Sequence, residues 1–270
     1  VCVGADPSQI AILDNFCWPS CDDPRNLGSL VRAAEACLDG GIAYGTPFIS
    51  GKDSLNNQFT TDEGQTIRIP PTLLISGMGI VEDESQATTM DAKRPGNRLV
   101  LIGTTTDRLG GSHFVRIGGD VSSGRDELST VDLEIGPRTA RAVHVAITQG
   151  LVRSAHDASE GGVLVAAIEM AFSGGLGVEV QLDMVPVAGK NVSDVARAFA
   201  EDPCRYLLEV EEGNLDAIAT ILDGIPHAVI GGFTEAGPDG GELVISSDEF
   251  GASSELVDRF RNAWEKGCVR

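Results

Sequence analysis

The sequence predicts an α/β protein in two parts, a partial βα-rich unit over residues 1 to 90 and a complete α/β unit over 91 to 270. Three observations carry this expectation. Short apolar runs alternate with stretches of helical periodicity along the whole chain. Hydrophobic residues make up 42% of the sequence with only 5% aromatic and 33 glycines, which suits aliphatic strands and helices joined by tight turns. Residues 82 to 97, charged and carrying Pro95-Gly96, interrupt the pattern as a linker does. At 270 residues the chain is about twice a usual domain.

In order, residues 8 to 16 read as a strand ending in the polar pair Asp14-Asn15. Asn26 is placed to cap a helix through about Leu38, with Leu27, Leu30, Val31, Ala34 and Leu38 on one face and Gly40-Gly41 as its stop. Pro47 to Ser50 is a short strand, 56 to 68 a hairpin or loop, and 72 to 81 another strand. The second part restarts with a buried strand at 98 to 103, then a glycine-rich loop at 109 to 113, a helix over 138 to 151, and a turn at 155 to 162 feeding a helix through Phe172. Strands near 177 to 182, 205 to 210, 227 to 233 and 242 to 246 alternate with helices near 192 to 200, 213 to 223 and 253 to 266.

The balance of 20 basic against 40 acidic residues argues against nucleic acid or an anionic membrane as partner. It leaves a nucleotide possible, provided its phosphates are met by backbone N–H groups, a local lysine and a bridging divalent cation. Six scattered cysteines without paired Cys-x-x-Cys spacing, and no long apolar span, fit a reducing, cytoplasmic setting. The opening at Val1, without methionine, reads as a fragment entered midway.

Two segments hold the chemistry. In Gly45-Thr-Pro-Phe-Ile-Ser-Gly-Lys-Asp-Ser-Leu-Asn-Asn57, Gly51 can admit an anion to the backbone, Lys52 brings a compact positive charge, Asp53 can hold Mg²⁺ and Ser54 can donate to a phosphate oxygen. The P-loop spacing is absent, and the same composition also suits a solvated turn. In His156-Asp-Ala-Ser-Glu-Gly-Gly162, two carboxylates and a hydroxyl sit at a strand-to-helix turn, where Asp157 or Ser159 could equally be a plain helix cap. His156 reads as structural rather than as a general base.

These segments, with Asp14-Asn-Phe-Cys-Trp-Pro19 and Leu109-Gly-Gly-Ser112, follow the order found in the second half of the phosphoribosylformylglycinamidine synthase family, which the chain resembles over most of its length. The resemblance implies an aminoimidazole ribonucleotide synthetase-like fold, with an N-terminal-type dimerisation domain carrying the ATP and substrate loop, then a C-terminal-type domain. It implies part of an ATP-dependent ligase that converts formylglycinamide ribonucleotide and glutamine-derived ammonia to the amidine. ATP and Mg²⁺ are then the cofactors, and the partners are a homologous first half and a glutaminase domain or subunit. By matching positions, Asp14, Gly51 and Ser159 contact ATP or its auxiliary counterpart, Ser54 contacts substrate and Asp157 is a metal ligand, while Asp53 stands as a metal candidate on its own chemistry alone.

Lys52 stands where short forms carry a magnesium-binding asparagine, so a phosphate contact is expected of it instead. Glu160 replaces the commoner aspartate without changing charge. Glu201-Asp-Pro-Cys-Arg205 departs from the family's substrate-contacting Glu-Ser-Gln, and the catalytic histidines belong to the first half, so no catalytic residue is assigned here. Two other readings stand: a related ATP-dependent enzyme of the selenophosphate synthetase or thiamine-phosphate kinase type, or a non-catalytic nucleotide-binding module.

Overall fold

A computed structural model of the chain describes residues 1–120, 122, 124–249 and 251–267. It divides into two compact units, Ala5–Glu82 and Val1–Gly4 with Asp83–Arg270.

In the smaller unit three strands, β1 (Ala11–Cys17), β2 (Phe48–Ser54) and β5 (Thr72–Met78), form a sheet in the order β2-β1-β5, with β1 parallel to β2 and antiparallel to β5. β3 (Gln58–Thr60) and β4 (Thr66–Arg68) make a separate hairpin. One helix, α1 (Pro24–Tyr44), crosses the sheet. Its start lies earlier than the sequence suggests, because Asp23 accepts from the Arg25 amide and Pro24 fills the first turn. It also runs through Gly40-Gly41. The break comes at Gly45, whose φ of 66° is left-handed and whose N–H closes on Gly41 and Ile42. A Cβ on Gly41 would lie 3.6 Å from the Phe48 ring, an ordinary contact, so packing does not require glycine there.

The larger unit is built on one seven-stranded sheet in the order β12-β11-β8-β10-β6-β9-β7. Its strands are β6 (Arg98–Ile102), β7 (Val152–Asp157), β8 (Gly177–Gln181), β9 (Tyr206–Val210), β10 (His227–Thr234), β11 (Glu242–Ser247) and β12 (Gly251–Leu256). Every neighbouring pair is antiparallel except β11 with β8. Helices are α2 (His113–Arg116), α3 (Ile135–Thr148), α4 (Gly162–Gly174), α5 (Asp194–Phe199), α6 (Leu215–Ile221) and α7 (Val257–Gly267). Residues 253 to 256, expected to open the last helix, instead pair with β11, and the helix begins at Val257. Ser253, Ser254 and Glu255 give a helix little apolar surface to bury.

Strand alternation splits two cores across this sheet. On β6, Leu99 and Leu101 pack with Val163, Ala167, Met170 and Ala171 of α4, whereas Val100 and Ile102 face Val143 and Ile147 of α3 and Ile218 of α6. Both faces are thus covered, which is why the strand reads as a continuous apolar run. Among the described residues no helix is long and apolar enough to cross a membrane.

One carboxylate sits wholly inside this frame. Glu209 on β9 is 0% exposed, and its oxygens accept from the Lys93 and Arg94 amides (2.8 and 2.9 Å), Asn97 Nδ2 (2.7 Å) and Ser154 Oγ (2.6 Å). It therefore fixes the segment entering β6 to the sheet. Glu209→Ala strands four donors, so urea unfolding of the chain should show a loss of roughly 2–5 kcal/mol. A loss under 1 kcal/mol, within the ordinary range of a surface substitution, would mean that water satisfies them.

Candidate functional site

In the smaller unit the parallel register sets Asp14 opposite Gly51, Asn15 opposite Lys52, Phe16 opposite Asp53 and Cys17 opposite Ser54. The Asp14 carboxyl lies over Gly51 so closely that a Cβ there would come within 2.8 Å of its carboxyl carbon, so any side chain at 51 would displace that carboxyl. Burial, and then the charge of Asp14, push the Cys37 thiol of α1 up, so α1 lies on this side of the sheet while Gly51 and Asp53 stay exposed. Residues 51 to 54 are thus part of a strand and not a loop, a correction with a direct consequence. Successive side chains point to opposite faces. Gly51 and Asp53 share the Asp14 face, while Lys52 and Ser54 share the other, where the lysine ammonium donates to the serine hydroxyl. Four consecutive residues therefore do not converge on one anion.

In the larger unit, β7 ends at Asp157 and α4 starts at Gly162, and the turn between them is shaped by two left-handed glycines, Gly161 (φ 78°) and Gly162 (φ 74°). A Cβ on Gly162 would sit 2.7 Å from the Ala200 carbonyl oxygen and 2.8 Å from that of Ala198, so the pair also lets α4 approach the end of α5. Neither Asp157 nor Ser159 caps the helix: the N-cap is Gly161, without a side-chain cap bond. The capping alternative left open by the sequence is thereby removed, and these two side chains are held by other partners.

Asp157 Oδ1 lies 3.4 Å from His156 Nδ1, and His156 Nε2 is 2.9 Å from Glu169 Oε2 on α4. The His156 hydrogen bond, opposed by burial and helped by the Ser159 hydroxyl, holds the Asp157 carboxyl well below the usual carboxylate range. Burial works against charge on His156, but the bonds to Asp157 and Glu169 outweigh it and push its pKa up to about 9. The imidazolium is therefore a structural clamp, as expected from the sequence. Its partner Glu169, twelve residues beyond the motif's aspartate, carried no sequence signal.

A cavity of about 300 Å³ opens at this turn, lined by Asp157, Ser159 and Glu160 and by the segment from Glu201 to Tyr206. The segment, weak as a motif, is the most tightly held part of the site. Asp202 accepts from Thr106 N (2.7 Å), Thr106 Oγ1 (2.8 Å) and Ser129 Oγ (2.8 Å). Arg205, 2% exposed, donates to Asp202 O (3.1 Å), Thr105 Oγ1 (2.8 Å) and Ala200 O. Burial lowers its pKa to about 10 despite the nearby Asp202 and Glu201 charges, so it stays cationic at neutral pH. Between these anchors Cys204 takes φ 62°, the only left-handed non-glycine among the described residues. A second cavity of about 320 Å³, lined by Thr104, Thr106, Thr130 and Asp132, lies on the other side of 202 to 204.

Mg²⁺ keeps several waters and usually takes one or two protein carboxylates beside substrate phosphates. The ionised, half-exposed Asp157 fits a cation of that kind when it arrives with a phosphate. Among the described residues no group of three or more His, Cys, Asp or Glu could hold a metal alone, and Asp53 has only Asp14 on its face.

Because the folded-state pKa of His156 is raised from 6.5 to about 9, its contribution is fully present below pH 6.5 and is lost as pH rises through 9. His156→Gln should therefore be less stable than the parent at pH 6 and converge with it above pH 9. Urea melts of both across that range test this, and a gap independent of pH would refute the clamp.

Residues 94–243, more than half of the chain, match the family described as AIR synthase related protein, C-terminal domain. The PurL subunit of phosphoribosylformylglycinamidine synthase from Thermococcus sibiricus is 36% identical over 233 residues, covering 86% of this chain and 31% of that protein. The chain spans about a third of the length of the curated relatives it matches. Among solved structures, T. maritima PurL complexed with FGAR superposes with a TM-score of 0.72 at 20% identity, over 96% of this chain and 40% of that one. The hydrogenase maturation protein HypE superposes with a TM-score of 0.65 at 17% identity, over 94% and 78%. At such identities the structural likeness speaks for the fold alone. The match to the family model, on a sheet sandwiched between helices, establishes that the chain belongs to the AIR synthase-related family.

Proposed function

We propose that this chain is part of the second half of an ATP-dependent ligase that makes formylglycinamidine ribonucleotide from formylglycinamide ribonucleotide, ATP and glutamine-derived ammonia. The observation that carries the reading in this chain is the cavity gathering Asp157 and Ser159 beside a clamped histidine. Support comes from the PurL relatives, and from T. maritima PurL having been solved with ATP, with ADP and with FGAR.

On this reading the turn from Asp157 to Gly162 receives an auxiliary nucleotide. The Asp157 carboxylate, positioned by His156, takes the nucleotide's Mg²⁺, and the Ser159 hydroxyl contacts the nucleotide. Mg²⁺ supplies neutralisation of phosphate charge, which so acidic a chain otherwise lacks. In the smaller unit, Asp14 and Gly51 meet ATP on one face of the strand pair. Ser54 contacts the ribonucleotide on the other, with Lys52 as the phosphate partner beside it. Asp53, on the Asp14 face, is the second candidate metal ligand.

The partner is the homologous first half. α1 leaves Leu27, Val31, Leu38 and Ile42 exposed at helical spacing, and the sheet leaves Leu13 and Leu74 exposed, an apolar extent that asks for a cover. A glutaminase domain or subunit would supply ammonia, and the assembly would work in the cytoplasm.

The test is thermal shift of the complete protein with and without Mg-ADP, since a ligand bound only to the folded state raises its melting temperature. Asp157→Asn should lower the apo melting point, because it takes a charged partner from the His156 imidazolium, and should abolish the Mg-ADP shift measured from the variant's own apo value. Equal shifts in both proteins would return Asp157 to a structural role. Separately, Ser54→Ala should raise the KM for the ribonucleotide by the equivalent of about 1.5–3 kcal/mol, the scale of a hydrogen bond to a charged group. An unchanged KM would remove Ser54 from the substrate site.

A further inference from the structure

One carboxylate in the larger unit touches both glycine-rich segments at once. Glu201 follows the end of α5, and its Oε1 accepts from Gly161 N at 2.8 Å and from His113 N at 2.8 Å, with His113 Nδ1 at 3.1 Å. Gly161 is the N-cap of α4, in the turn that follows Asp157. His113 opens α2 directly after Leu109-Gly-Gly-Ser112, whose Ser112 caps that helix. The two segments lie 48 residues apart in sequence, as 161 less 113 gives, and a single oxygen atom bridges them.

The surroundings make the bridge specific. Asp202 next door is committed to Thr106 and Ser129, and the backbone of 200 to 205 is held by Arg205, so Glu201 leaves a fixed stem. Its side chain is 20% exposed, so water competes little for the shared oxygen. The glycine loop is packed just as closely at its other end, because a Cβ on Gly110 would sit 2.7 Å from the Glu127 backbone and one on Gly111 2.8 Å from Leu128. The turn at Gly161 and the loop end at His113 thus share one acceptor on a fixed stem.

We infer that Glu201 is a positioning residue that couples the turn Asp157–Gly162 to the glycine loop 109–113, so that occupation of one orders the other. The functional part rests on the nucleotide reading of the turn. The bridge itself does not. Glu201 touches no reacting atom on this assignment; it acts through two backbone N–H groups.

Hydrogen–deuterium exchange on the complete protein separates the two levels. Without ligand, Glu201→Ala should speed exchange at least tenfold in both 110–117 and 159–164 while leaving 206–210 unchanged; acceleration of only one segment would overturn the bridge. Glu201→Gln, which keeps an acceptor oxygen in place, should restore much of the protection in both, and it serves as the folded control if the alanine variant is poorly stable. With Mg-ADP added, the parent should gain protection in both segments and Glu201→Ala only in 159–164. Equal gains in the loop for parent and alanine variant would overturn the coupling. Should Mg-ADP protect neither segment in the parent, the nucleotide reading and the coupling inferred from it both fall, while the ligand-free comparison still decides the bridge.

Discussion

The larger unit turns on how the chain passes from α5 into β9. A helix must end, the backbone must reverse, and the strand next to the sheet edge must begin, all against the packed start of α4, where the Gly162 backbone has no room for a Cβ beneath the Ala198 and Ala200 carbonyls. Helix ends leave carbonyls without partners, and buried ones must find donors. Arg205 supplies them: its guanidinium reaches the Ala200 and Asp202 carbonyls and the Thr105 hydroxyl from a fully buried position. No carboxylate lies within ion-pair distance of it among the described residues, so the charge is stabilised by carbonyl dipoles and by the field of Asp202 and Glu201. That arrangement over-determines the segment, which is what lets Cys204 hold a left-handed conformation costing of order 1 kcal/mol or more.

From this constraint the cavity walls follow. Asp202 reaches back to Thr106, Glu201 forward to Gly161, and the Arg205 carbonyl accepts from Ala158 N at 3.0 Å. The turn after β7 is thus suspended from a rigid segment on one side and clamped by His156 and Glu169 on the other. A loop bearing charged groups gains order only when its backbone partners are fixed, and here they come from distant sequence.

Much of this was legible beforehand, for definite reasons. β6 announced itself as Leu99 to Ile102 because both faces of the sheet are covered, and α4 because Gly161-Gly162 precedes an apolar run. What escaped notice was tertiary. Gly40-Gly41 looked like a helix stop, yet glycine ends a helix only where φ turns positive, and that happens at Gly45. Residues 253 to 256 had helical neighbours, but β11 offered them an edge. The Glu201 to Arg205 segment looked degenerate because its residues serve the backbone, and backbone partners leave no pattern in a sequence. The strand nature of 51 to 54 was hidden by its composition: Gly, Lys, Asp and Ser favour turns, and only pairing with the aliphatic β1 makes them a strand.

A chain with net charge −20 is a poor host for a phosphate unless its carboxylates are otherwise engaged. In the cavity at the turn, Asp202 accepts three donors, Glu201 accepts backbone N–H groups, and Asp157 is paired with a protonated histidine that Glu169 also holds. Each engagement spreads negative charge onto a dipole or a cation, so the local field is milder than the residue count implies. Asp157 is held ionised and is 57% exposed, with the exposed Glu160 also on the cavity wall, a combination that suits a hydrated divalent ion better than a bare anion. A phosphate entering here would therefore do so with its own metal. His156, held in turn by Glu169, then fixes where that carboxylate stands rather than whether it is charged.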